Sequence, residues 1–175
     1  MKIGDTGAVS RLARHWPWVA LLSAAALLAV AHAFESFGHL MPCELCLKQR
    51  TIYWVAIAVA AAGLVWRALA GRRDPTKWIN ALLALVFLAE ATMAVYHAGV
   101  ERKFWPGPLS CSGGARSVDP AALERLLSGA KMAIPACDKA AWVFLGLSMA
   151  GWNALAAAAL TVSSGRAAFK AGKPS

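Results

Sequence analysis

Four long apolar stretches, approximately residues 16–34, 52–66, 78–97 and 142–162, constrain this chain more than any other feature. At 1.5 Å per residue most are long enough as helices to cross about 30 Å of hydrocarbon, where every backbone polar group must be paired within the protein. The second is short by itself and reaches spanning length only if its helix continues back through residues 43–50. With 59% hydrophobic and 15% charged residues in 175, the chain is far more apolar than a soluble domain of this size. The expected fold is an all-α membrane protein, a four-transmembrane-helix bundle forming one domain, with spans near 16–34, 45–66, 78–97 and 142–162. Trp16, Trp18, Trp66, Trp78, Trp105 and Trp142, six of the eight tryptophans, fall at or near these boundaries, where indole rings prefer to sit.

The net charge of +9 points to orientation and not to nucleic acid, because the basic residues are unevenly distributed. Lys2, Arg11, Arg14, Arg67, Arg72, Arg73, Lys77, Arg166, Lys170 and Lys173 flank the spans on one side, opposed only by Asp5 and Asp74. The other side carries eight basic residues against six acidic ones, Glu35, Glu44, Glu101, Asp119, Glu124 and Asp138. Short basic loops stay in the cytoplasm, so both termini and loop 67–77 are expected there and all four cysteines outside. A basic start, an apolar run and Ala31-His32-Ala33 also resemble a cleavable secretory signal. Cleavage would leave three spans and set the remaining loops against the charge rule.

The external loops, 35–44 and 98–141, hold the chemistry. In Cys43-Glu44-Leu45-Cys46, two cysteines precede an apolar helix, with Pro42 placed as its first residue and both thiols in the first turn. A helix N-terminus and a nearby cation favour a thiolate, and Arg50 shares the face of Cys46 at i+4. In the longer loop, Phe104-Trp105-Pro106-Gly107-Pro108 reads as a rigid turn against the headgroups, leading to Cys111. Asp119 and Pro120 open a short helix whose Leu123, Leu126, Leu127 and Ala130 form an amphipathic stripe, before Cys137 closes the loop.

Three readings of the four cysteines compete. A zinc site normally uses two closely spaced pairs, whereas Cys111 and Cys137 are widely separated, so no metal is expected. Structural disulfides explain the loop pair, but a Cys43–Cys46 bridge closes too small a loop to add much stability. Redox exchange explains both, in an oxidising compartment.

Pro42-Cys43-Glu44-Leu45-Cys46-Leu47-Lys48-Gln49-Arg50, the loop cysteines Cys111 and Cys137, and 142–153 (WVFLGLSMAGWN) together resemble the bacterial disulfide bond formation protein B (DsbB) family. The resemblance covers residues 16–162. It implies an inner-membrane enzyme that reoxidises a periplasmic DsbA-like thiol oxidase and passes electrons to a membrane quinone, ubiquinone or menaquinone. It further implies that Cys111 takes the mixed disulfide with the partner, that Cys137 relays to Cys43, and that Cys46 faces the quinone. Arg50 would stabilise the Cys46 thiolate or bond a quinone oxygen. His97 corresponds to a family histidine associated with quinone binding, unless it is an interfacial residue that snorkels. The acidic Glu44 departs from the family's best-known form and would raise the thiol pKa.

Glu90 lies inside the third span, where carboxylates are costly and mark function unless the span edge shifts to solvate them. Gly146, Ala150, Ala154 and Ala158 suggest a close-packing face on the fourth span. The competing functions are an enzyme of the vitamin K epoxide reductase type, whose quinone-facing pair comes late in the chain, and a disulfide-stapled membrane scaffold without activity.

Overall fold

The computed structural model describes residues 6–71, 74–108 and 137–172, with side chains described from residue 13. Among the described residues there are four helices, α1 (Thr6–Ser36), α2 (Glu44–Leu69), α3 (Thr76–Glu101) and α4 (Met149–Ala171), and a hairpin of β1 (Val143–Phe144) and β2 (Leu147–Ser148) immediately precedes α4. The loop cysteine Cys111 and the amphipathic stripe of residues 119–130 lie outside the described residues.

Among the described residues three helices, over Ala13–Ser36, Glu44–Leu69 and Thr76–Glu101, are long and apolar enough to cross a membrane. Their outward faces carry Leu22, Val30, Trp54, Val65, Leu85 and Leu88, all exposed in the isolated chain as lipid-facing side chains should be. Inward faces of α1 and α2 are rich in alanine, and α3 fills the space between them with larger side chains. Ala20, Ala24 and Leu28 of α1 meet Tyr53, Ala56 and Ala60 of α2 and Ile79, Leu83 and Phe87 of α3 in one core cluster. Small side chains let helix backbones approach closely, which matters where lipid is as apolar as the helix surface. Buried polar groups tie the basic end of the bundle. Asn80 Nδ2 donates to the Ala13 carbonyl at 3.0 Å, and Trp16 Nε1 donates to Ser164 Oγ at 2.9 Å.

At Gly63 of α2 a Cβ would lie 2.6 Å from Cγ2 of the buried Ile79 on α3, so this crossing has no room for a larger residue. Gly63→Leu is therefore expected to destabilise the bundle by about 1–3 kcal/mol, the usual scale for overpacking. Denaturation in detergent measures the loss, and adding Ile79→Ala should recover part of it.

The structure moves several sequence-based boundaries. Helix α2 starts at Glu44, not at Pro42, because Cys43 is its N-cap: its backbone is extended (φ −77°, ψ 171°) and its sulfur accepts from the Cys46 N–H at 3.3 Å. Only Cys46 lies in the first turn. Residues 143–148 form a hairpin where the fourth apolar run was expected to be helical already. Leu145 (φ 50°) and Gly146 (φ 77°) both take left-handed conformations, the requirement of a two-residue turn matched to strand twist. Gly146 thus belongs to that turn and not to a helix face. The buried face of α4 runs through Ala150, Ala157, Ser164 and Ala168, while Ala158 is exposed, so the packing stripe is rotated from the expected one. Ser148 caps α4 by accepting from the Gly151 N–H at 3.1 Å.

At the other end of α3, the chain folds back on the helix. Trp105 stacks on Tyr96 with ring planes 4° apart and donates from Nε1 to the Tyr96 carbonyl at 2.8 Å. Lys103 pairs with Asp138, which fixes the segment following the long loop next to the end of α3. Cys137 is thereby held against the start of α2.

Candidate redox site

The Cys43 cap places its sulfur at the end of α2, and the last turns of α3 bring His97 beside it. Cys43 and Cys46 are free thiols with sulfurs 2.9 Å apart, and Cys43 Sγ lies 3.5 Å from His97 Nε2. Hydrogen bonding from Cys46 holds Cys43 as a thiolate against the opposing effect of burial; His97 and the Cys46 N–H add to it, and the thiol falls to about 4. The expected upward influence of Glu44 does not prevail, since that carboxylate pairs with Lys48 at 2.9 Å.

His97 is not an interfacial snorkelling residue. It is buried, 3% exposed, and both ring nitrogens are engaged. Gln49 Nε2 lies 3.2 Å from His97 Nδ1, and because an amide nitrogen only donates, Nδ1 accepts. Gln49 Oε1 in turn accepts from Asn153 Nδ2 at 3.0 Å, and that same nitrogen donates to Glu90 Oε1 at 2.7 Å. Tyr53 completes the group by donating to Asn153 Oδ1 at 2.6 Å. Glu90 is 0% exposed, so no shift of the span edge solvates it.

Both sulfurs face a cavity of about 470 Å³, within the usual range for small-molecule sites. Its walls are mostly apolar, with Phe34, Trp142 and Trp152 among them, and its polar lining includes His97, Gln49 and Arg50. Arg50 reaches this cavity, but its hydrogen bonds go to α1: to Glu35 Oε2 at 2.5 Å and to the Ala31 carbonyl at 3.0 Å. Anchored at two separate acceptors, the guanidinium is fixed at the cavity wall and keeps part of its donor edge for a polar ligand.

Cys137 is disulfide-bonded, 1% exposed, and packs in one cluster with Cys43, Leu45 and Val100. Its bonded partner is outside the described residues, since Cys43 and Cys46 are both free. The structure thus gathers Cys43, Cys46, Cys137, His97 and Arg50 at one end of the bundle. The donor atoms of Cys43, Cys46 and His97 lie within 4.8 Å of one another, close enough to ligate a soft cation. The bond from Gln49 works against it, because it leaves the proton on the nitrogen that would bind metal.

Gln49, Tyr53 and Asn153 carry the site without having been assigned a role from sequence. The available signal was spacing: Cys46, Gln49 and Tyr53 recur on one face of α2, and Glu90 and His97 are seven apart on α3.

A family profile described as Disulfide bond formation protein DsbB matches residues 13–166. The chain belongs to the DsbB family. Curated relatives agree: Disulfide bond formation protein B of Dechloromonas aromatica (strain RCB) is 31% identical over 81% of this chain and 84% of its own. Its namesake in Methylococcus capsulatus (strain ATCC 33009 / NCIMB 11132 / Bath) is 32% identical over 75% and 79%, and that in Pasteurella multocida (strain Pm70) 28% over 77% and 74%. No solved structure gives a significant match. Family and helices together make this a multi-pass membrane protein of disulfide bond formation, with disulfide oxidoreductase chemistry at the family level, and favour neither of the two competing functions.

Proposed function

We propose that this DsbB-family chain reoxidises a soluble, DsbA-like periplasmic thiol oxidase and delivers the two electrons to a quinone of the inner membrane. The observation that carries this reading is the cavity that joins the Cys43–Cys46 pair to Arg50 and His97 within apolar walls. A quinone supplies a lipid-soluble acceptor for two electrons and two protons. In this reading α4 is the fourth span, both termini are cytoplasmic and the cysteines are periplasmic, in keeping with the charge asymmetry.

The sulfur chemistry balances. Cys111 and Cys137 form the loop disulfide; the partner's thiolate attacks Cys111, and the partner's second thiol then closes its own disulfide. Cys137 passes the electrons on by attacking Cys43, which displaces the Cys46 thiolate toward the cavity. Re-forming the loop disulfide expels Cys43 as a thiolate, and a sulfur with a depressed pKa leaves readily. Closing Cys43–Cys46 returns two electrons and two protons to the acceptor. Contact between Cys137 and Cys43 in one buried cluster supports the relay step.

Arg50 is assigned to the quinone head group. Arg50→Met keeps much of the apolar stem and removes the charge and donors, so thiol exchange with the partner should survive while quinone reduction weakens about 10-fold or more. Arg50→Lys should raise the apparent KM for quinone more than it lowers turnover at saturating quinone, since it loses the planar fork. Steady-state quinone reduction with a reduced partner protein measures both. Wild-type rate and affinity in Arg50→Met would remove Arg50 from the site.

A further inference from the structure

A carboxylate fully buried within α3 has no place in the sulfur relay, yet it stands at the head of an unbroken chain of hydrogen bonds that ends on Cys43. We infer that Glu90, acting through the amides of Asn153 and Gln49, fixes His97 as the tautomer that donates from Nε2 to the Cys43 sulfur.

The direction of each bond follows from the chemistry of the end group. An amide nitrogen only donates, so Glu90 Oε1, which faces that of Asn153, accepts whatever the charge of the carboxyl. Asn153 turns its amide nitrogen toward Glu90, at 2.7 Å, and its oxygen toward the Tyr53 hydroxyl, at 2.6 Å. Turned the other way, Asn153 would set its oxygen against Glu90 Oε1. With the nitrogen so placed, Gln49 must offer Oε1 to Asn153, which leaves its own nitrogen facing His97 Nδ1. A ring nitrogen that faces a donor carries no proton, so the proton of the neutral imidazole sits on Nε2, 3.5 Å from Cys43 Sγ. Glu101, 3.8 Å from the same nitrogen, also favours a donor there.

The consequence for the reaction is specific. His97 becomes a hydrogen-bond donor to Cys43, so it stabilises the sulfur each time that sulfur leaves. Glu90, Asn153 and Gln49 are positioning residues. Their purpose rests on the redox reading above, but their effect on the imidazole does not.

Nitrogen-15 spectra of the reduced, full-length protein in detergent micelles test this directly, with the His97 resonances identified by their loss in His97→Asn. The wild-type protein should show a protonated Nε2 and a bare Nδ1. The double variant Glu90→Gln, Asn153→Asp exchanges donor and acceptor at the head of the chain while preserving size and bonding; Gln49 must then turn, and Nδ1 should gain a proton. Gln49→Glu is a second route to the same switch, because it presents an acceptor to Nδ1 while still accepting from Asn153. A proton on Nδ1 in the wild-type protein would overturn the inference. So would a switch in Gln49→Glu with none in a folded Glu90→Gln, Asn153→Asp protein, which would show that the lock ends at Gln49. Neither quinone nor partner enters the measurement, so failure of the thiol:quinone reading would appear separately, as loss of turnover with the tautomer unchanged.

Discussion

Cys137→Ser is expected to trap the soluble partner in a mixed disulfide with Cys111, whereas Cys111→Ser yields no such adduct. The difference is close to all-or-none because it depends on chemistry and not on affinity. In Cys137→Ser the neighbouring thiol that would displace the partner from Cys111 is gone, and a partner with a single cysteine has no second thiol to close its own disulfide, so the adduct persists. In Cys111→Ser the partner meets no sulfur at its own docking position. Non-reducing electrophoresis reads both outcomes after mixing with a partner variant that keeps only its nucleophilic cysteine, activated as a mixed disulfide with thionitrobenzoate, so that the Cys111 thiolate attacks and thionitrobenzoate leaves. Equal trapping by the two variants would contradict the assigned order. The burial of Cys137 at 1% exposure, in one cluster with Cys43, is what favours the proposed order, since it makes Cys137 a poor target for a soluble protein.

The second large effect is the pH profile of Cys43. With its thiol near 4, the reduced protein should be alkylated at Cys43 at a rate nearly independent of pH from about 5.5 to 8. An unperturbed thiol with a pKa of about 8.5 gains about tenfold per pH unit over most of that range. The profile is the sound measure, not the rate at one pH, because a thiolate of low pKa is also a weaker nucleophile. The sign follows from the stabilised form: donors around the sulfur favour the anion, so removing one moves the step upward. Cys46→Ala should therefore move it more than Cys46→Ser, which retains a donor, and His97→Ala should also raise it. Mass spectrometry of the modified peptide separates Cys43 from the other thiols.

Much of the architecture could be read from apolar length. Three of the four runs became helices that meet the length and composition of a membrane span, because hydrocarbon thickness imposes a threshold that sequence alone reveals. The fourth run was less legible. Trp142, Val143, Phe144 and Leu147 are apolar whether they sit in a span or in an interfacial hairpin, and only the left-handed pair Leu145 and Gly146 separates the cases. The rotated packing face of α4 has the same origin: many alanines allow more than one stripe, and the choice depends on the helix opposite.

The site divides along a similar line. The spacing of Cys43 and Cys46 and the fall of Arg50 on the same helix face are local, and local geometry is legible. Cys43 as a cap was not, since its sulfur stands in for the side-chain oxygen usual at that position. Gln49, Glu90 and Asn153 come from three helices, and their meeting depends on how each helix rotates within the bundle. A lone carboxylate in a span announced that some buried polar network exists. It did not announce its members.

Oxidation of the Cys43–Cys46 dithiol is proposed to be coupled to quinone reduction within this chain. The most direct measurement is a single turnover: the purified, fully reduced Cys111→Ser, Cys137→Ser protein, in which only this pair can react, is mixed with excess quinone. Quinol formed and thiols lost are then counted together. The account predicts one quinol for each pair of thiols lost, with no reaction once Cys46 is also replaced by serine. Loss of the thiols with the quinone left oxidised, or quinol formation that persists without Cys46, would contradict it.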